Sequence, residues 1–127
     1  MSLELKALFE EDKSIAIIRM SGSLDTNTAA QLDEKAAAVI NPDLRLLMLD
    51  MKALDYISSA GIRSVFKIVK TMKAQGGKVG ASNRQPQITK VFDIIKALPD
   101  MQIFTDDAEM DDYLSVVQEK IRNGEDF

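Results

Sequence analysis

At 127 residues, 46% hydrophobic and 28% charged, the chain has the size and apolar content of one globular domain that buries a core without a disulfide or a metal. Its formal net charge of −4 argues against a nucleic-acid partner, which calls for a basic face. With neither Cys nor His, thiol chemistry, an imidazole general base, a Ser-His-Asp triad and the common zinc sites are excluded; only carboxylate or lysine chemistry stays open, so a non-enzymatic role without metal or cofactor is expected.

No apolar run is long enough to cross a bilayer, and Met1-Ser2-Leu3-Glu4-Leu5-Lys6 lacks the apolar core of a signal peptide, so a cytoplasmic location without membrane insertion is expected. Leu3 to Phe9 sets Leu3, Leu5, Ala7 and Phe9 against Glu4, Lys6 and Leu8, the alternation of a strand with one wet face. The charged turn Glu10-Glu11-Asp12-Lys13 leads to a second strand, Ser14 to Met20. Its run of Ile15, Ala16, Ile17 and Ile18 is buried on both faces, and it pairs with the first strand as a hairpin.

Asn27 to Ile40 carries Ala29, Leu32, Ala36, Val39 and Ile40 near helical spacing, with Thr26, Asn27 or Thr28 available as the cap and Asn41-Pro42 as the stop. Leu44, Leu46, Leu47, Met48 and Leu49 form a short continuous apolar run that suits a central parallel strand. From Ser59, Ile62, Val65, Phe66 and Val69 mark a second helix, which Gln75-Gly76-Gly77 ends. A strand over Lys78 to Ser82 follows, then a helix through Ile88, Val91, Phe92, Ile95 and Leu98. Met101 to Phe104 reads as a last strand. Thr105 or Asp106 caps a final helix bearing Met110, Tyr113, Leu114, Val117 and Ile121 on one face.

A hairpin followed by strands alternating with helices predicts an α/β fold: a mixed, mostly parallel sheet of four to five strands with about four helices. One domain spans residues 1–127, with about 123–127 as a frayed tail. The outgoing loops of the second and third strands, Ser21 to Asp25 and Met51 to Ser58, then leave at the same sheet edge, where open α/β sheets bind their partners. Gly76-Gly77-Lys78-Val79-Gly80-Ala81-Ser82 is no phosphate loop, because its glycines end a helix and precede a strand.

The most informative segment runs from Leu49 through Tyr56-Ile57-Ser58-Ser59-Ala60-Gly61-Ile62-Arg63, a buried strand entering a helix that starts with two serines. Ser58 or Ser59 caps that helix. A hydroxyl placed there also sits over unpaired N–H groups and the positive end of the helix dipole, where a phosphate is stabilised. Asp25 reads either as a turn residue capping the first helix or as a partner contact beside Ser59. Arg63, one turn into the helix, is either a solvated charge or faces a partner's carboxylate.

This segment resembles the signature of the STAS domain, in particular that of the anti-sigma-factor antagonists, which reads aromatic, apolar, Asp, Ser, Ser or Thr, Gly, Leu. Aligning the glycine on Gly61 places the phosphorylatable serine on Ser59 and puts Ser58 where many kinase-regulated members carry Asp. Met20-Ser21-Gly22-Ser23-Leu24-Asp25 with Thr28-Ala29 is similar to the family's Gly-x-Leu-Asp-x-x-x-Ala pattern, and the similarity extends over essentially the whole chain. The resemblance implies a STAS-like fold and a bacterial signalling role in transcription regulation. The implied partner is an anti-sigma factor of the histidine-kinase-like ATPase type, which is also the serine kinase, with a serine phosphatase reversing its action. It implies phosphorylation at Ser59, partner contacts through Asp25, Ser58, Ser59, Gly61 and Arg63, and a monomer or weak dimer. The alternative is a STAS subunit of a larger regulatory or lipid-transport assembly.

Overall fold

The computed structural model describes residues 2–83, 85, 86, 88, 101–104 and 107–125. Strands β1 (Leu3–Glu10) and β2 (Ile15–Leu24) form the expected antiparallel hairpin, in register from Leu3 opposite Gly22 to Glu10 opposite Ile15. Glu11, Asp12 and Lys13 reverse the chain with positive φ angles of 51°, 53° and 71°. The turn closes where the Ser14 N–H donates to the Glu11 carbonyl at 3.0 Å. Helix α1 (Ala29–Val39) leads to β3 (Leu46–Ile57), α2 (Ser59–Ala74) to β4 (Lys78–Ser82), and β5 (Met101–Phe104) to α3 (Asp107–Arg122). The five strands lie in the order β1-β2-β3-β4-β5, parallel except for the hairpin.

The apolar runs in β2 and β3 follow from helices on both sheet faces, which leave these strands no wet side. On one face Ala16, Ile18, Leu47, Leu49 and Met51 pack with Leu32 and Ala36 of α1 and with Val65, Ile68 and Met72 of α2. On the other, Ile15, Ile17, Leu46 and Met48 meet Leu114 and Val117 of α3. The helix expected through Ile88 to Leu98 falls largely outside the described residues; Ile88 itself is buried in the larger core.

Two expectations are corrected. Strand β2 runs on to Leu24 and β3 to Ile57, so the segments read as loops, Ser21 to Asp25 and Met51 to Ser58, are mostly strand. Their pairing shifts register between Arg19 and Ser21 and again between Gly22 and Ser23, each time with one extra residue on β3. Two bulges break the simple alternation and disguise a strand as a loop: beyond Met51, the buried β3 positions are Leu54 and Ile57. Beyond α3, residues 123–125 are bonded back to the helix. Gly124, at φ 72°, donates to the Ile121 carbonyl at 3.1 Å and Glu125 donates to the Lys120 carbonyl at 2.8 Å, a glycine cap on α3.

Candidate functional site

The end of β2 pairs with the end of β3, Leu24 opposite Ile57. The Ser58 N–H then donates to the Leu24 carbonyl at 2.8 Å. The chain leaves both strands at one point, so Asp25 and Ser59 stand at the same carboxyl edge of the sheet.

Asp25 is committed to its own turn. Its Oδ1 accepts the N–H groups of Asn27 at 2.9 Å and Thr28 at 3.0 Å, and its carbonyl accepts the Ala29 N–H at 2.8 Å. The Thr28 hydroxyl accepts the Asp25 N–H at 2.8 Å. Its single proton favours the Ser23 carbonyl at 2.8 Å over Asp25 Oδ1 at 3.2 Å. This reciprocal pattern works as a capping box one turn ahead of α1, so the turn-and-cap role is the one the geometry assigns to Asp25.

The two serines have different jobs. Ser58 is extended, at φ −96° and ψ 174°, and its Oγ accepts the Gly61 N–H at 3.2 Å. It is the cap, using the preferred hydroxyl chemistry of that position. Ser59 is the first helical residue; its side chain is exposed and makes no hydrogen bond among the described residues. Arg63 is also exposed, four residues on, and therefore on the same helix face as Ser59.

Gly61 is buried. A Cβ there would lie 2.7 Å from Leu24 Cγ, 2.9 Å from the Leu24 carbonyl oxygen and 3.0 Å from Ile57 Cγ1. Its place in the sequence reflects the close approach of α2 to the ends of β2 and β3.

Two features of this edge were missed in the sequence. Tyr56, directly before the buried Ile57, is 49% exposed, and with Phe9 and Val116 it makes up the exposed large hydrophobics among the described residues. The bulges of β3 are also tied down by polar side chains. Asp50 Oδ1 accepts the Lys52 N–H at 3.1 Å and Asn83 Nδ2 at 3.3 Å, while Oδ2 faces Arg19 Nε at 3.6 Å. Gln85 Nε2 donates to the Lys52 carbonyl at 3.0 Å and to Asp55 Oδ1 at 3.4 Å. The sequence signal for Asp50 was a lone acid ending an apolar strand, and for Arg19 a lone base inside another.

Among the described residues, no group of three or more acidic side chains is placed to hold a metal ion, and no helix is long and apolar enough to cross a membrane. The arrangement offers a hydroxyl, an aromatic ring and a guanidinium on a rigid edge, which is equipment for binding another protein.

Comparison with known proteins agrees with this geometry. The STAS domain pattern matches residues 6–110. The Bordetella bronchiseptica protein BtrV, designated an anti-sigma factor antagonist, is 30% identical over 90 residues, which are 71% of this chain and 78% of BtrV. An anti-sigma factor antagonist from Mycobacterium paratuberculosis superposes with a TM-score of 0.75 at 20% identity, over 92% of this chain and 95% of that one. The Bacillus cell fate determinant SpoIIAA in its phosphorylated form superposes with a TM-score of 0.67 at 21% identity, over 87% of this chain and 99% of SpoIIAA. The motif around Ser59, the sheet order and these matches together make the chain a member of the STAS domain family, whose anti-sigma-factor-antagonist branch consists of non-catalytic regulatory domains.

Proposed function

We propose that the chain is a cytoplasmic anti-sigma-factor antagonist, one STAS unit over residues 1–127 acting as a monomer or weak dimer. Its partner is an anti-sigma factor of the histidine-kinase-like ATPase type, and phosphorylation of Ser59 by that partner switches it off. The observation that carries this reading is the division of labour at the start of α2: Ser58 holds the helix cap, which leaves the Ser59 hydroxyl exposed at the edge it shares with Asp25 and Tyr56. The designation of BtrV and the phosphorylated state of SpoIIAA point the same way.

In the transfer, Ser59 Oγ attacks the γ-phosphorus of the kinase's ATP, ADP leaves, and the hydroxyl proton passes to a base of the kinase. The product carries about −1.5 to −2 added charges at the first helical residue. The first-turn N–H groups and the helix dipole accommodate that anion, so the fold survives. On the partner-facing edge the same charge adds bulk and repulsion, and binding falls. A serine phosphatase restores the binding form.

The test is titration of the purified chain with a histidine-kinase-like ATPase anti-sigma factor from the same organism. Ser59→Ala binds as the wild type does, whereas Ser59→Asp and the phosphorylated protein bind at least about tenfold more weakly, a loss of about 1.4 kcal/mol. Equal affinity of the phosphorylated and unmodified proteins would overturn the proposal.

A further inference from the structure

On the face covered by α3, the apolar row Leu8, Ile17 and Met48 lies under the helix. The next row toward the carboxyl edge is polar and crosses four strands in register: Lys6 opposite Arg19, Arg19 opposite Asp50, Asp50 opposite Ser82. Above it opens a trough of about 670 Å³, lined by Lys6, Arg19, Asp50 and Lys52, with Glu4 and Asp111 also on its wall. That volume lies within the range of small-molecule sites.

Lys6 and Arg19 are like charges directly opposite on neighbouring strands, an arrangement that is unfavourable until an anion joins it. Asp50 does not fully serve. It is buried, its Oδ1 already accepts two N–H groups, and its Oδ2 meets Arg19 through Nε at 3.6 Å, which leaves the terminal nitrogens of the guanidinium farther away. Lys6, Glu4 and Asp111 form no ion pair among the described residues. At the far end of the row the Ser82 hydroxyl is fully buried without a hydrogen-bond partner among the described residues.

We infer that this trough binds a small organic anion, whose carboxylate or phosphate oxygens are taken by Lys6 and the outer guanidinium nitrogens of Arg19. Paired planar donors on Arg suit either oxyanion. The two rim acids, Glu4 and Asp111, disfavour a ligand of high negative charge, which favours a small anion of about one or two charges. The site lies on the sheet face opposite α2, and its assignment is independent of what happens at Ser59.

The test is an NMR titration of the ¹⁵N-labelled full chain with inorganic phosphate and, separately, with succinate, at ionic strength held constant with chloride. The expected result is saturable shifts centred on the amides of Lys6, Arg19, Ser21 and Lys52, weakened about tenfold by Lys6→Gln and by Arg19→Gln, the scale of one lost charge-assisted hydrogen bond. Saturation by phosphate alone or by succinate alone identifies the anionic group, and either supports the site. Lys67→Gln, on the opposite face, leaves the titration unchanged. Because Arg19→Gln also removes the partner of Asp50, the exposed Lys6 decides the matter: shifts that grow linearly without saturating, spread over all basic residues, or persist undiminished in Lys6→Gln overturn the inference.

Discussion

Among the described residues, α1 and α2 close over a continuous core on one face of the sheet that takes in β2, β3 and β4; on the other, α3 covers Ile15, Ile17, Leu46 and Met48 and sets Asp111 on the wall of the trough above the polar row beyond them. The candidate partner edge hangs from the thick side. Leu24, Ile57 and Ile62, which frame Ser58 and Ser59, all belong to the larger core. Rigid support beneath and spare polar groups above is the construction that lets a surface bind without its own side chains carrying the fold. The thin side has the reverse balance, with charged groups exposed over a shallow apolar patch.

The largest effect expected from this contrast is in core truncations. Leu47→Ala, at the centre of the thick side, should cost about 3–5 kcal/mol, against about 2 kcal/mol for Leu114→Ala under α3, where fewer neighbours are lost and the helix can settle. Urea midpoints with unchanged m-values would measure both. Equal losses would erase the distinction between the faces.

Gly61→Ala should come next, at about 2 kcal/mol, because the new methyl meets the Leu24 backbone oxygen as well as two side chains. It should also weaken partner binding by moving α2 off the edge. A stable variant with normal binding would show that the approach of α2 to β2 is not tight.

The adjacent serines should separate stability from switching. Ser58→Ala loses the cap and about 1 kcal/mol, whereas Ser59→Ala, on the exposed side, should change stability by less than about 0.5 kcal/mol. Thermal unfolding of the two variants side by side would settle which hydroxyl holds the helix. A larger loss from Ser59→Ala would reverse the roles assigned to them.

Much of this fold was legible because the pattern was local. The hairpin, the buried strands and the helices over 29–39, 59–74 and 107–122 follow from alternation, continuous apolar runs and helical spacing in neighbouring residues. The far ends of β2 and β3 were not legible, since bulges shift which residues face inward and the shift is set by the partner strand. Gly61 was read through its motif, yet its physical constraint is Leu24, far away in sequence. Two consecutive serines left the cap open until backbone angles chose Ser58. The row through Lys6, Arg19, Asp50 and Ser82 depends on the register of four strands, which no single segment encodes.

The central claim is that Ser58 holds the helix and Ser59 carries the switch. Its most direct test incubates the chain with ATP and a histidine-kinase-like ATPase anti-sigma factor from the same organism and maps the modified residue by mass spectrometry, alongside Ser58→Ala. Phosphate on Ser59 in both proteins, with none on Ser58, is the predicted result; phosphate on Ser58 with Ser59 untouched would contradict the account.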